Sequence, residues 1–188
     1  MIRSFIALDV PIEVKKTISE MQADLRHRFP QSSITWTRSE GIHLTLQFLG
    51  DIYEQDVSQI TEAVTMAAEN VSPFSICTTF TGGFPNLRRP RVLWWGVNGG
   101  KELMALQKSI GQRLSQGGFP SDGKAFHPHL TVGRVKSLAP NSPLPEYFGQ
   151  LSSNESENTK WQITDIKIMS SVLKPSGAVY SILEQVKL

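Results

Sequence analysis

The feature that most limits what this chain can fold into is an order of elements that occurs twice. A strand leads to an amphipathic helix that closes on Leu25…Phe29-Pro30, and within about fourteen residues a strand bearing His43-Leu-Thr follows. The same succession recurs around Leu114…Phe119-Pro120 and His129-Leu-Thr. A duplication with so long a period does not build a stacked array, so it implies two similar lobes facing each other. The expected class is α+β: a bilobal, pseudo-two-fold pair of β-sheet lobes with helices on the outside and a central cleft. A chain of 188 residues fits one domain, 1–188, made of two intertwined lobes, and can bury a core without staples.

Periodicity fills in the rest. Ile2 to Leu8 reads as a strand, and Pro11 opens a helix on Val14, Ile18, Met21 and Leu25. Ile34–Thr37 and Ile42–Leu49 are short strands about the Arg38-Ser39-Glu40-Gly41 turn, and a second helix runs from about Glu54 to Asn70. Phe74–Phe80 is a β-rich run, 81–90 a loop, and Arg91–Val97 a strand. A third helix on Leu103, Leu106, Ile110 and Leu114 stops at Gly117-Gly118. The second His-Leu-Thr strand spans about 127–135, and 137–160 reads as a surface excursion. Two last strands, Trp161–Ser170 and Ala178–Val186, flank the Lys174-Pro175-Ser176-Gly177 turn.

Composition removes several function classes. A hydrophobic fraction of 39% with 19% charged residues excludes collagenous and wholly disordered chains. Cys77 is the single cysteine, which rules out an intramolecular disulfide and a cysteine-based zinc site and points to a reducing, cytoplasmic setting. The N-terminal apolar run meets Asp9 and Glu13 too early for a signal segment, and no window is long and apolar enough for a membrane helix. With a net charge of only +2, attraction for phosphate has to be local.

Strand alternation places His43, Thr45 and Gln47 on one face, with Leu44, Leu46 and Phe48 on the other. The same arithmetic sets His127, His129, Thr131 and Gly133 opposite Leu130 and Val132. With the leucine sides in the core, the polar sides line whatever separates the lobes. Two imidazoles and two hydroxyls in one cleft suit hydrolysis of a phosphodiester. One neutral ring draws a proton from water and an imidazolium protonates the departing alkoxide, both near the ordinary pKa of about 6.5. Threonine hydroxyls hold the non-bridging oxygens, and no metal or other cofactor is called for. This chemistry alone does not say which histidine is the acid.

At these residues the chain resembles the two-histidine (2H) phosphoesterases, in particular their bacterial and archaeal RNA 2',3'-cyclic phosphodiesterases, also called 2'-5' RNA ligases. His43-Leu-Thr-Leu and His129-Leu-Thr-Val match that family's paired His-x-Thr-x motifs. Arg3-Ser-Phe-Ile-Ala-Leu-Asp, Gly83-Phe-Pro, Arg91-Val-Leu-Trp-Trp-Gly-Val, Phe126-His-Pro-His-Leu-Thr-Val-Gly-Arg and Ser171-Val-Leu-Lys-Pro-Ser-Gly extend the likeness over nearly the whole chain. The resemblance implies opening of RNA 2',3'-cyclic phosphate ends to 2'-phosphates, with 2'-5' ligation as a reverse reaction and tRNA halves among the candidate substrates. It makes His43 the proton donor and His129 the proton acceptor, with Thr45, Thr131 and Arg134 on the phosphate. The expected partner is RNA bearing a cyclic-phosphate end, taken up by a monomer.

Plainer readings apply elsewhere. His127-Pro-His129 lacks the carboxylate or thiol that would complete a metal set. His27 caps a charged helix end. Arg88, Arg89, Arg91 and Lys136 form either a basic rim or a solvated loop. Trp94 and Trp95 point to opposite faces, so one is core, and Cys77 reads as a small buried apolar residue. Two other functions stay open: a non-catalytic RNA-end-binding accessory module, and a phosphodiesterase for small cyclic nucleotides, ADP-ribose cyclic phosphate or 2'-5' oligoadenylates.

Overall fold

A computed structural model describes residues 1–120, 123–151, 158–174 and 177–188. The elements are β1 (Ile2–Leu8), α1 (Ile12–Arg28), β2 (Ser33–Trp36), β3 (Leu44–Ile52), α2 (Asp56–Ala68), β4 (Phe74–Phe84), β5 (Val92–Asn98), α3 (Gly100–Gln116), β6 (His129–Ser137), α4 (Leu144–Gln150), β7 (Lys160–Ile163), β8 (Asp165–Lys174) and β9 (Gly177–Lys187). A one-turn 3-10 helix, Ser39–Gly41, leads into β3. No helix among the described residues is long and apolar enough to cross a membrane.

The two lobes are halves of one nine-stranded sheet, ordered β7-β4-β5-β6-β3-β1-β8-β9 with β2 beside β6. They are joined where β3 meets β6 antiparallel, Leu44 opposite Leu130. Both leucines are fully buried, and beside them the sheet contributes Ile6, Leu8, Leu93, Trp95 and Val132 to one core face. Against that face pack Val14, Ile18 and Leu25 of α1, Ile60 and Val64 of α2, and Leu103, Leu106, Ile110 and Leu114 of α3, in one cluster. Each such side chain stabilises the fold by roughly 1.5–3 kcal/mol. The helical spacing is as the sequence indicates, with one exchange: on α1, Gln22 is buried and Met21 is only partly so.

Several boundaries differ from expectation. β4 runs on through the supposed loop to Phe84, because Gly82, Gly83 and Phe84 pair with Trp94, Leu93 and Val92. The surface excursion contains α4, anchored by the fully buried Leu144 and Phe148. Trp161–Ser170 is two strands broken at Thr164, since β7 pairs with β4 and β8 with β1. Cys77 is half-buried rather than core. Pro175-Ser176 and the Ser152–Glu157 stretch lie outside the described residues.

Candidate active site

Matched irregularities shape the site. Along β1, Ile6 pairs with Gln47 and Ala7 with Thr45, so Leu46 is an extra residue. Along β5, Leu93 pairs with Gly133 and Trp94 with Thr131, so Val132 is extra. Each is a β-bulge three positions after a histidine, and a bulge resets which face the following residues occupy. Simple alternation therefore fails beyond the threonines. Gln47 is turned to the core side, 5% exposed, while Phe48 emerges on the other face, 57% exposed. Gly133 likewise turns inward against Ile34 and Trp36, where a Cβ would come within 2.9 Å of Ile34. Arg134, paired with Val92, is exposed on the same side as Thr131.

The Leu44–Leu130 pair sets the register of the site. One step to either side, antiparallel arithmetic brings His43 beside Thr131 and Thr45 beside His129, all four on the face opposite the leucines. The histidines are then diagonal neighbours, a relationship that separates Cα atoms by about 7–8 Å. His43, Thr45, His129, Thr131 and Arg134 thus share one face of the joined sheet. His127 does not join them as a ligand. Its side chain is exposed, and its contribution is a backbone carbonyl 2.6 Å from His129 Nδ1. A carbonyl only accepts, so Nδ1 carries the proton, and the neutral ring presents a lone pair at Nε2.

Aromatic rings hold both imidazoles. His43 stacks on Phe5 with centroids 4.6 Å apart and meets the edge of Tyr180 at 5.2 Å. His129 stands edge-on to Phe84 at 4.9 Å, with Trp94 behind at 6.2 Å. The Trp94 indole lies flat over Gly82, where any Cβ would sit 2.3 Å from the ring. Trp95 is the buried member of the pair, its indole donating to the Thr79 carbonyl at 2.8 Å.

This packing perturbs the protonation equilibria, and the ordinary value expected from sequence does not apply. Burial, then the Lys15 ammonium, lowers His43 to about 4; Asp9 pulls the other way, and His129 adds to the lowering. Burial also lowers His129, with the His127 carbonyl opposing it and the His127 and Arg134 charges reinforcing it. Next to His43 a cavity of about 230 Å³ is lined by Asp9, Lys15, Glu40, Lys167 and Tyr180. Asp9 receives Lys15 at 3.3 Å and Lys167 at 2.6 Å. Burial disfavours its charge, but the Lys167 hydrogen bond, the Val10 amide and the Lys15 charge outweigh this and hold its pKa down. A larger hollow of about 900 Å³ opens beside α2 and β9, but Glu54, Glu62, Glu69 and Glu184 line it, which makes it hostile to phosphate. No group of three or more His, Cys, Asp or Glu side chains placed to hold a metal ion occurs among the described residues.

Sequence reasoning missed Phe5, Phe84, Tyr180 and the His127 carbonyl. Phe84 stood inside a motif shared with the resembling family. Tyr180 reaches His43 only through the sheet order, and no local pattern announces it. Arg88, Arg89, Arg91 and Lys136 are all exposed, and Arg91 and Lys136 flank the strand end that carries Arg134, where the Val135 amide donates to the Arg91 carbonyl.

Comparison with known proteins identifies the family. Residues 10–174 match the sequence model of the 2'-5' RNA ligase superfamily. The chain is 36% identical to an RNA 2',3'-cyclic phosphodiesterase of Thermotoga maritima, over 96% of this chain and 92% of that one. It is 30% identical to the protein of that name from Methanothermobacter thermautotrophicus, over 100% and 99%. A Thermus thermophilus crystal structure superposes with a TM-score of 0.80 at 26% identity, covering 99% of this chain and 97% of that one. E. coli LigT complexed with 3'-AMP shares the fold, with a TM-score of 0.78 at 22% identity over 100% and 98%. A match that spans most of the chain means that this protein belongs to the 2'-5' RNA ligase superfamily.

Proposed function

We propose that the protein hydrolyses the 2',3'-cyclic phosphate end of RNA to a 2'-phosphate, without a metal, by paired histidine acid–base catalysis. The observation that carries this reading is the Leu44–Leu130 register, which sets His43 and His129 diagonally across one face with a threonine beside each. The names of the Thermotoga and Methanothermobacter relatives support the substrate class.

In this mechanism the phosphate lies between the two rings. Water enters on the His129 side, and Nε2, its lone pair exposed because Nδ1 is engaged by the His127 carbonyl, takes the proton. The new P–O bond forms as the P–O3' bond breaks, and His43 delivers its proton to O3'. The product carries a 2'-phosphate and a free 3'-hydroxyl. Thr45, Thr131 and Arg134 hold the non-bridging oxygens as charge develops on them. A free His43 with a pKa of about 4 is neutral at pH 7, so the substrate's own anionic phosphate must favour its protonated form. An RNA 5'-hydroxyl in place of water gives a 2'-5' bond by the same path, which makes ligation of RNA halves, such as those of a cut tRNA, a second outcome of one chemistry. We take 1–188 as the working unit, acting as a monomer in the cytoplasm.

The test is incubation with an oligonucleotide ending in a 2',3'-cyclic phosphate, in the presence of excess chelator, followed by location of the product phosphate. A 2'-phosphate is expected. A 3'-phosphate reverses the assignment of the leaving oxygen, loss of turnover with chelator defeats the metal-free mechanism, and tight binding without turnover favours an end-binding module.

A further inference from the structure

A bulge disrupts the ladder locally, and contacts from outside the sheet can fix where the extra residue sits. Here both bulges are served by glutamines, and each glutamine comes from the other half of the molecule. Gln22, on α1 of the first half, is 5% exposed. Its Nε2 donates to the carbonyl of Val132, the extra residue of β6, at 2.9 Å, and to the Thr37 carbonyl at 2.7 Å; the Val132 carbonyl also accepts from the Thr37 amide at 3.1 Å, so Gln22 clips the bulge to the segment that follows β2. Gln107, on α3 of the second half, donates from Nε2 to the carbonyl of Leu46, the extra residue of β3, at 3.4 Å. The exchange follows from the duplication, since each helix packs over the junction and meets the His-x-Thr strand of the opposite half.

We infer that Gln22 is a positioning residue for the phosphate site and acts through Arg134. The bulge at Val132 is what turns Gly133 inward and Arg134 onto the cleft face. A β6 strand returned to plain alternation would direct the guanidinium at the core, where a charge without a partner is not tolerated. The strand would therefore shift, and Arg134 with it. Gln22 holds the bulge by tying the Val132 carbonyl, which also takes the Thr37 amide, to the Thr37 carbonyl through one side-chain amide. Its place on α1 explains why a polar residue occupies a buried position on an otherwise apolar helix face. The Gln107 bond is longer and less buried, so the asymmetry of the clamps follows that of their targets, Arg134 in one half and Phe48 in the other. This inference rests on the reading of Arg134 as a phosphate ligand.

The experiment is a double-mutant cycle of Gln22→Met, near in shape but without a donor, and Arg134→Ala. It is read both as kcat/KM on cyclic-phosphate RNA and as Kd for 2'-AMP, with thermal unfolding confirming that each variant is folded at the assay temperature. Arg134→Ala is expected to lower kcat/KM and weaken binding by roughly ten- to a hundredfold. Gln22→Met is expected to cost about tenfold, and the double variant to be no worse than Arg134→Ala alone. Additive losses, or a folded Gln22→Met protein with wild-type constants, overturn the inference. If the wild type binds 2'-AMP with the coupling intact but turns nothing over, the hydrolase reading fails and the clamp stands. Turnover with additive losses gives the reverse.

Discussion

Phe48 and Arg134 hold the same station in the two halves, each five positions after its histidine and each turned onto the cleft face by a β-bulge. The pseudo-symmetry of the backbone is therefore kept where that of the chemistry is broken. One half presents a guanidinium on this face, and the other presents a ring that is 57% exposed. The two sides of a cyclic phosphate also differ, since one faces solvent water and the other carries the ribose.

Arg134 should accordingly matter in a way that a rim arginine does not. Arg134→Ala is expected to reduce kcat/KM by roughly ten- to a hundredfold, the scale of a charge-assisted hydrogen bond, and Arg134→Lys to recover only part of it because a bidentate fork is lost. Arg88→Ala, on the exposed loop, is expected to change kcat/KM by less than about threefold at moderate salt. Steady-state kinetics of the three variants decides this. Equal effects at positions 88 and 134 would show that Arg134 is merely part of a diffuse basic surface.

Each histidine is expected to be needed separately. His43→Ala and His129→Ala should each lower kcat by about a hundred- to ten-thousandfold while remaining folded, and the double variant should be little worse than either, because the two act as one unit. Single-turnover measurements on cyclic-phosphate RNA check this. A folded single variant retaining a tenth or more of the wild-type rate is incompatible with paired acid–base catalysis.

The pH dependence follows from the two depressed pKa values. In the proposed mechanism the productive form has His43 protonated and His129 neutral. Burial holds His43 at about 4, and His129 also lies below 6.5, so kcat/KM should pass through a maximum on the acid side of 6.5. Bound phosphate favours the His43 cation, which moves the kcat curve to higher pH than that of kcat/KM. The Lys15 ammonium is one of the charges that lower His43. Lys15→Met should therefore raise the pKa of His43 and carry the kcat/KM maximum upward, an effect seen directly by NMR titration of the imidazole. A wild-type maximum at pH 7 or above, or one unmoved by Lys15→Met, contradicts the assignment.

How much of this was readable in the sequence depended on whether the determinant was local. The duplicated helix-to-strand order and the alternation from His43 to Thr45 and from His129 to Thr131 are short-range patterns, and they located the fold class and the four central side chains. Alternation failed two residues past each threonine, at Gln47 and Gly133. A bulge depends on contacts from outside the strand, in this case the side-chain amides of Gln22 and Gln107 donating to its carbonyl from distant helices, and no period in the strand itself records it. Arg134 was reached only through the family resemblance, because plain alternation would have set it on the core side. The lowered pKa of His43 was equally out of reach, since it arises from Phe5, Tyr180 and Lys15, which three separate elements bring around the ring.

The same desolvation should be visible in stability. The unfolded chain titrates its histidines near 6.5, whereas folded His43 titrates at about 4. Between these values the unfolded state binds the extra proton, so the fold should lose stability as pH falls through that window and gain nothing from the group above it. For His43 the full effect is about 3 kcal/mol, at 1.36 kcal/mol for each pKa unit. His43→Phe leaves an aromatic ring to stack on Phe5 and removes the titration. Urea unfolding at pH 7 and at pH 4.5 should then show the variant gaining on the wild type by roughly 2–3 kcal/mol at the lower pH. Carboxylates such as Asp9 and Asp24, whose pKa values are held down in the fold, weaken both proteins alike on acidification and leave the difference unaffected. A wild type and a His43→Phe variant that lose stability in parallel would mean that the imidazole is open to water in the folded protein.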